Sequence, residues 1–172
     1  EMYASANNLN RITVDPPQAW MGIVASGRCY YETLEALHLL GLSRADLSRF
    51  GIRLLQLGML YPLERDVVRR FAQGLEEIVV VEEKRPFIET HLRDALYGMT
   101  NAPRILGKRD HEGALLVPGT GALDADYLVG PLRRRLAARL DPAQMTPATP
   151  SSSALQIKRK IEVLPNRTPY FC

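Results

Sequence analysis

The apolar run IVVV, Ile78 to Val81, ends in four charges, Glu82, Glu83, Lys84 and Arg85. Two neighbouring carboxylates raise the prospect of general acid/base chemistry, which needs both groups to converge on one reacting centre. Adjacent residues on extended chain send their side chains to opposite faces, so Glu82 and Glu83 cannot share a substrate. The economical assignment gives one of them to the N–H groups opening the next helix and leaves the other for Lys84, Arg85 or a neighbouring domain. Cys29 follows Gly27 and Arg28 and precedes a helical stretch, a setting in which a helix dipole and a cation lower a thiol pKa. No His, Asn or second Cys stands beside it in sequence to complete a nucleophile. His38, His91 and His111 are far apart, with no Cys or His at zinc-ligand spacing, which argues against a metal centre and for His91 as an exposed helix residue.

The elements that must position these residues follow from the apolar pattern. WMGIVAS, Trp20 to Ser26, is a short apolar run closed by Gly27, and Leu34, Leu37 and Leu40 follow at helical spacing until Gly41. Ser43 is placed to cap a short helix through Arg49, and GIRLLQLG, Gly51 to Gly58, has the length and glycine boundaries of a buried strand. Pro62 suits a helix start ahead of an apolar face of Val67, Val68, Phe71 and Leu75. The run Ile78 to Val81 lacks polar alternation, as expected of a parallel strand covered on both faces. Pro86 opens another helix ending at Gly98, and PRILGK, Pro103 to Lys108, is a fourth strand. These elements predict an α/β fold, a three-layer sandwich with a mostly parallel sheet and right-handed crossovers. Beyond Lys108 the pattern weakens: GALLVPGTGALDADYLVGPLRRRLAARL holds a short strand and a helix interrupted by Gly130 and Pro131, with Leu132, Leu136 and Leu140 on a packed side.

In open α/β sheets ligands collect outside the carboxyl ends of the strands. The residues there are Gly27 and Arg28, Gly58 to Tyr61, Glu82 to Arg85, and Gly107 to Arg109. Gly27 and Gly58 read first as tight turns, and the chain contains neither GxGxxG nor GxxxxGK[ST]. Composition narrows the classes further. The chain has 172 residues, a net charge of +3 and two cysteines. Its cations are interspersed with nearly as many acids, and Arg133, Arg134 and Arg135 fall within a helical pattern, which suits a solvated face and not a nucleic-acid footprint. No disulfide framework and no membrane-spanning run is expected, so the reading is of a soluble cytoplasmic domain with neither nucleic-acid nor membrane partner. The start, EMYASANNLNRITVDPP, reads as a chain entered part-way, and DPAQMTPATPSSSA, Asp141 to Ala154, as a linker.

GIVASGRCYYETLEAL, GIRLLQLGMLYPLE, GLEEIVVVEEKRPFIE and the closing NRTPYFC, in this order, resemble the central part of the indolepyruvate ferredoxin oxidoreductases. These belong to the thiamine-diphosphate-dependent 2-oxoacid:ferredoxin oxidoreductases. The likeness covers most of Trp20 to Lys108 and the tail. It implies a transketolase C-terminal-like domain at 20–140, a lead-in from the preceding domain at 1–19, and at 141–172 a linker and the start of a pyrophosphate-binding domain. It implies no catalytic residue and no cofactor in this piece. The whole enzyme would use thiamine diphosphate, magnesium and an iron-sulfur cluster, with coenzyme A as co-substrate, for oxidative decarboxylation of an aryl pyruvate. Its partners would be the neighbouring pyrimidine- and pyrophosphate-binding domains, a ferredoxin-type acceptor and a second copy in a homodimer.

By the same resemblance Cys172 is the first cysteine of a Cys-x-x-Cys segment, a metal ligand toward an iron-sulfur cluster in the full-length enzyme only. EEKRPFIE is a signature that sets strand-helix geometry and interdomain contacts. Arg28, Tyr61, Glu83 and Arg85, at strand carboxyl ends, become the candidates for contact with the cofactor domains or the acyl acceptor. Two rival readings remain: the C-terminal domain of a transketolase or of a 2-oxoacid dehydrogenase β-type enzyme, and a standalone anion-binding flavodoxin-like module.

Overall fold

The computed structural model describes residues 1–145. Five strands, β1 (Asn10–Val14), β2 (Met21–Ser26), β3 (Ile52–Leu57), β4 (Glu77–Val81) and β5 (Arg104–Leu106), form one sheet in the order β1-β3-β2-β4-β5. The pairs β2/β3, β2/β4 and β4/β5 are parallel, and only β1 runs antiparallel, against β3. Six helices accompany them: α1 (Met2–Ala6), α2 (Gly27–Leu39), α3 (Arg44–Arg49), α4 (Arg65–Ala72), α5 (Phe87–Leu96) and α6 (Ala125–Leu136).

Side chains of the central strands alternate between two apolar layers. Ile23, Ala25, Leu54, Val79 and Val81 join a cluster with residues of α2, α3 and α6. Val24, Leu55, Ile78 and Val80 join another with residues of α4 and α5. Helices thus cover both faces, which is why the strands show continuous apolar runs and no alternation. The three-layer α/β sandwich with a mostly parallel sheet is therefore as expected from the sequence.

The elements differ from expectation in four places. The lead-in supplies an edge strand, β1, and Arg53 locks this region down. Its guanidinium is nearly buried and donates to Asp15 Oδ1 at 2.7 Å, to the Phe71 carbonyl at 2.7 Å and to the Gln73 carbonyl at 2.8 Å. Pro62 does not open α4. It follows a cis Tyr61–Pro62 peptide in the preceding loop, and the helix starts at Arg65 with Glu64 as N-cap. Gly130 and Pro131 do not interrupt α6, because Leu128, Pro131, Leu132 and Leu136 are all buried on one side and this packing outweighs the proline's cost of about 3 kcal/mol. Pro142–Gln144 forms a 3-10 turn closed by an Asp141–Gln144 capping box, and Met145 is buried in the core. The remainder of the expected linker and Cys172 lie outside the described residues.

Ser43 caps α3 as expected: its hydroxyl accepts from Asp46 N–H at 3.2 Å while Asp46 Oδ2 accepts from Ser43 N–H at 3.0 Å. The reciprocal pair is a capping box in which aspartate replaces the usual glutamate.

Candidate functional site

From β2 the chain crosses to β3 on one side of it, and β4 then returns to the other. The strand order therefore reverses between β2 and β4, where adjacent loops diverge and leave room for a ligand or partner. A cleft of about 350 Å³ opens there. Ser26, Gly27, Arg28 and Cys29 from the β2–α2 turn form one wall, Glu82, Glu83 and Arg85 from the end of β4 another, and Leu60, Phe87 and Ile88 the apolar remainder. A larger groove of about 510 Å³ lies at the amino ends of the strands, around Trp20, Phe50 and Arg139. Its arginines are engaged, Arg49 with Asp46 and Arg139 with Glu76, whereas the carboxyl-end cleft also holds Arg85, which pairs with no carboxylate among the described residues, so that cleft is the better candidate.

Each wall has a local cause. Gly27 has φ +48°, a left-handed conformation that lets the chain pass directly from β2 into α2. Gly58, at the end of β3, serves another need: a Cβ there would lie 2.5 Å from the Leu9 carbonyl oxygen. The close approach it permits is to the chain's own backbone, not to a ligand. Asn10 completes that corner by accepting from Gly58 N–H at 3.1 Å and Met59 N–H at 3.0 Å.

Glu82 and Glu83 part company, as extended chain requires. The Glu82 carboxylate, 6% exposed, accepts from Ile88 N–H at 2.7 Å and Glu89 N–H at 3.0 Å. It thereby satisfies donors that α5 cannot pair internally and places negative charge at the positive end of the helix dipole. Glu83 accepts from Leu123 N–H at 3.2 Å, and among the described residues it forms no ion pair with Lys84 or Arg85. Neither carboxylate is hydrogen-bonded to the other.

Arg28 is paired at 2.9 Å with Glu32, whose second oxygen accepts from Ala125 N–H at 2.9 Å at the start of α6. Arg85 is exposed and pairs with no carboxylate among the described residues. Tyr61 does not line the cleft. It is 73% exposed and stands edge-on to His91 at 5.8 Å, and His91 in turn packs on Phe87 at 4.3 Å, so an aromatic ridge joins Tyr61 to the cleft lip. His91 is thus only partly exposed, with Nδ1 2.8 Å from the Phe87 carbonyl. Of the four candidates, Arg28, Glu83 and Arg85 meet in one cleft, and Tyr61 lies at the far end of the ridge beside it.

Cys29 departs from the activated thiol its position suggests. Burial pushes its pKa up, the Glu83 carboxylate pushes it further, and the Glu83 N–H, Lys108 and Arg28 oppose that rise. Lys108 was readable only as a strand-end position, yet its ammonium reaches under the cleft to the Glu82 carbonyl and, at 3.2 Å, to the Pro118 carbonyl. Burial lowers its pKa, against the pull of Glu82, Cys29, Glu89 and Glu83. Among the described residues no group of three or more His, Cys, Asp and Glu side chains is arranged to hold a metal ion. No helix among them is long and apolar enough to cross a membrane.

A mostly parallel α/β domain with a cleft at its switch point, walled by engaged carboxylates and lipped by cations and aromatics, is the class defined so far. Residues 11–148 match the model of the indolepyruvate oxidoreductase domain, and the chain belongs to that family. It is 32% identical over 93 residues to the indolepyruvate oxidoreductase subunit IorA of Archaeoglobus fulgidus, a match covering 54% of this chain and 13% of that protein. It is 35% identical over 80 residues to the IorA subunit of Methanothermobacter marburgensis, covering 46% and 12%. The chain thus spans only a small part of the curated relatives it matches. Among solved structures it is similar to a split gene transketolase in an inactive β4 tetramer, with TM-score 0.49, 21% identity, and coverage of 76% of this chain and 42% of that one. It is also similar to the 2-oxoglutarate:ferredoxin oxidoreductase of Magnetococcus marinus, with TM-score 0.47, 13% identity, and coverage of 78% and 21%.

Proposed function

We propose that this chain is the transketolase C-terminal-like domain of a cytoplasmic, thiamine-dependent indolepyruvate ferredoxin oxidoreductase, acting as a non-catalytic scaffold whose carboxyl-end rim docks on the cofactor domains. The unit we assign runs from β1 to Met145, with residues before and after it leading to the pyrimidine- and pyrophosphate-binding domains. The observation that carries this reading is how the cleft's charges are used. Glu82 is held by two main-chain N–H groups and Glu83 by one, so the chain's own backbone orients both side chains, while Arg85, Phe87 and Tyr61 are exposed. Among the described residues no three His, Cys, Asp or Glu side chains are grouped to hold a metal ion, so in this reading the cleft is not the seat of thiamine diphosphate with its magnesium and no chemical step is assigned to it. Exposed cations beside aromatic rings suit a domain interface, where arginine and aromatic anchors carry most of the binding energy. Arg28, Tyr61, Glu83 and Arg85 are the contact residues of this reading, with a ferredoxin-type acceptor and a homodimer belonging to the whole enzyme.

The test uses the full-length enzyme: iron content, and reduction of a ferredoxin-type dye with indolepyruvate and coenzyme A. Dye reduction that requires both the 2-oxoacid and thiamine diphosphate, in an iron-containing protein, is the expected result. A protein with neither iron nor activity would overturn the assignment and bring back a standalone module.

A further inference from the structure

The segment from Gly107 to Asp124, between β5 and α6, is long and nearly without regular structure, yet it buries Leu116, Val117 and Leu123 in the core. Long irregular segments in a packed domain need specific ties, because each ordered residue loses conformational entropy and each buried backbone group needs a partner. Three ties join it to the cleft. Glu83 accepts from Leu123 N–H, Glu32 accepts from Ala125 N–H just beyond it, and Lys108 donates to the carbonyls of Glu82 and Pro118.

The third tie differs in kind. β4 pairs with β5 only from Glu77 to Val79, because β5 ends at Leu106, while on its other edge β4 pairs with β2 as far as Val81. On the short side the end of β4 lacks a strand partner. The Lys108 ammonium takes that place at the Glu82 carbonyl and uses a second donor to hold Pro118, so one side chain joins the end of the sheet to the covering loop. Its backbone is fixed in turn: Lys108 N–H donates to Glu89 Oε2 at 3.1 Å, and the Lys108 carbonyl accepts from Leu116 N–H at 3.0 Å. A methionine at 108 would leave both carbonyls without this donor and remove a cation whose charge acts on Glu82, Glu83, Glu89 and the Cys29 thiol.

We propose that Lys108 is the positioning residue of this site, holding the Gly107–Asp124 loop onto the carboxyl end of β4 and balancing the glutamates there, so that the rim is presented in one geometry. The proposal rests on the docking role of that rim, but its test does not depend on activity.

In the full-length chain, Lys108→Met and Lys108→Arg are compared with wild type by amide hydrogen exchange and by the pH dependence of alkylation at Cys29, followed peptide by peptide with mass spectrometry. The Met variant is expected to speed exchange at Leu116 and Leu123 about tenfold or more. It is also expected to move the Cys29 alkylation midpoint to higher pH, because a cation that favours the thiolate is removed. The midpoint separates charge positioning from mere packing, since a loosened loop would raise the alkylation rate at every pH without that upward displacement. Lys108→Arg, which keeps the charge with a different donor geometry, is expected to restore the midpoint while leaving exchange at Leu116 faster than in wild type. If Lys108→Met does not fold, Lys108→Gln replaces it, with the same upward displacement expected. Unchanged exchange together with an unchanged midpoint would overturn the proposal. Loss of dye reduction in the wild-type enzyme would instead overturn the docking reading and leave this result standing.

Discussion

Replacing Glu82 by alanine distinguishes a structural carboxylate from a catalytic one. The side chain accepts two hydrogen bonds, from Ile88 N–H at 2.7 Å and Glu89 N–H at 3.0 Å, in the first turn of α5. Hydrogen bonds to a charged group contribute about 1.5–3 kcal/mol each, and water entering the cleft would recover part of that, so a loss of about 3 kcal/mol is expected for Glu82→Ala. Glu82→Gln keeps one acceptor oxygen but loses the favourable charge at the helix N-terminus, for a loss of about 1–2 kcal/mol. At about 2–4 °C per kcal/mol for a domain of this size, the Ala variant should melt about 6–12 °C lower and the Gln variant about 2–8 °C lower. The assay is thermal unfolding followed by circular dichroism, paired with dye reduction by the full-length enzyme measured well below the melting range. If the Ala variant melts within about 2 °C of wild type while the chemical step falls a hundredfold, the capping argument fails and Glu82 belongs to the chemistry.

Two further outcomes follow from groups away from the cleft. Arg53→Met should lower stability by about 3 kcal/mol, because it leaves the Phe71 and Gln73 carbonyls without their donor in a nearly closed site, and a loss below about 1 kcal/mol in urea unfolding would show that water replaces the guanidinium. Asp46 is held below the usual carboxylate range, first by the Ser43 hydroxyl, then by the Ser43 N–H and Arg49. With its folded pKa depressed, its contribution is fully present above the unfolded value of about 3.9 and is lost as pH falls through the folded value. Melting between pH 5 and pH 2 should therefore decline more shallowly in Asp46→Asn than in wild type, and parallel curves would contradict the capping box.

Strands β2 to β4 were legible because each is a mostly apolar run bounded by glycine or charge and covered on both faces, so no alternation blurs the signal, and the short edge strand β5 was legible from the proline and glycine that bound it. The strand β1 was not legible. In NRITV only Asn10 and Val14 are buried, its position at the sheet edge asks little of its other side chains, and an irregularity between Ile12 and Val14 breaks the period of two. The helix α6 was obscured by Gly130 and Pro131, whose local cost is offset by packing against α2 that no local window can register.

The site was legible to the extent that its bonds are local. The Glu82 cap could be inferred because the donors lie six and seven residues away, at the start of the next helix. The EEKR charges pointed toward pairing within the run or toward another domain, whereas Glu83 is in fact held by Leu123 N–H, forty residues on. A backbone N–H is present at every residue except proline, so a carboxylate satisfied by main chain leaves no complementary side chain for a sequence to reveal. The same holds for the Glu32 bond to Ala125 N–H, though the Arg28–Glu32 pair one helical turn apart is local, and for Lys108 with the Glu82 and Pro118 carbonyls. Because main-chain groups hold these charges, a substitution elsewhere in the Gly107–Asp124 loop should leave the site intact so long as the backbone path is kept. Changing Glu83 or Lys108 themselves should release that loop.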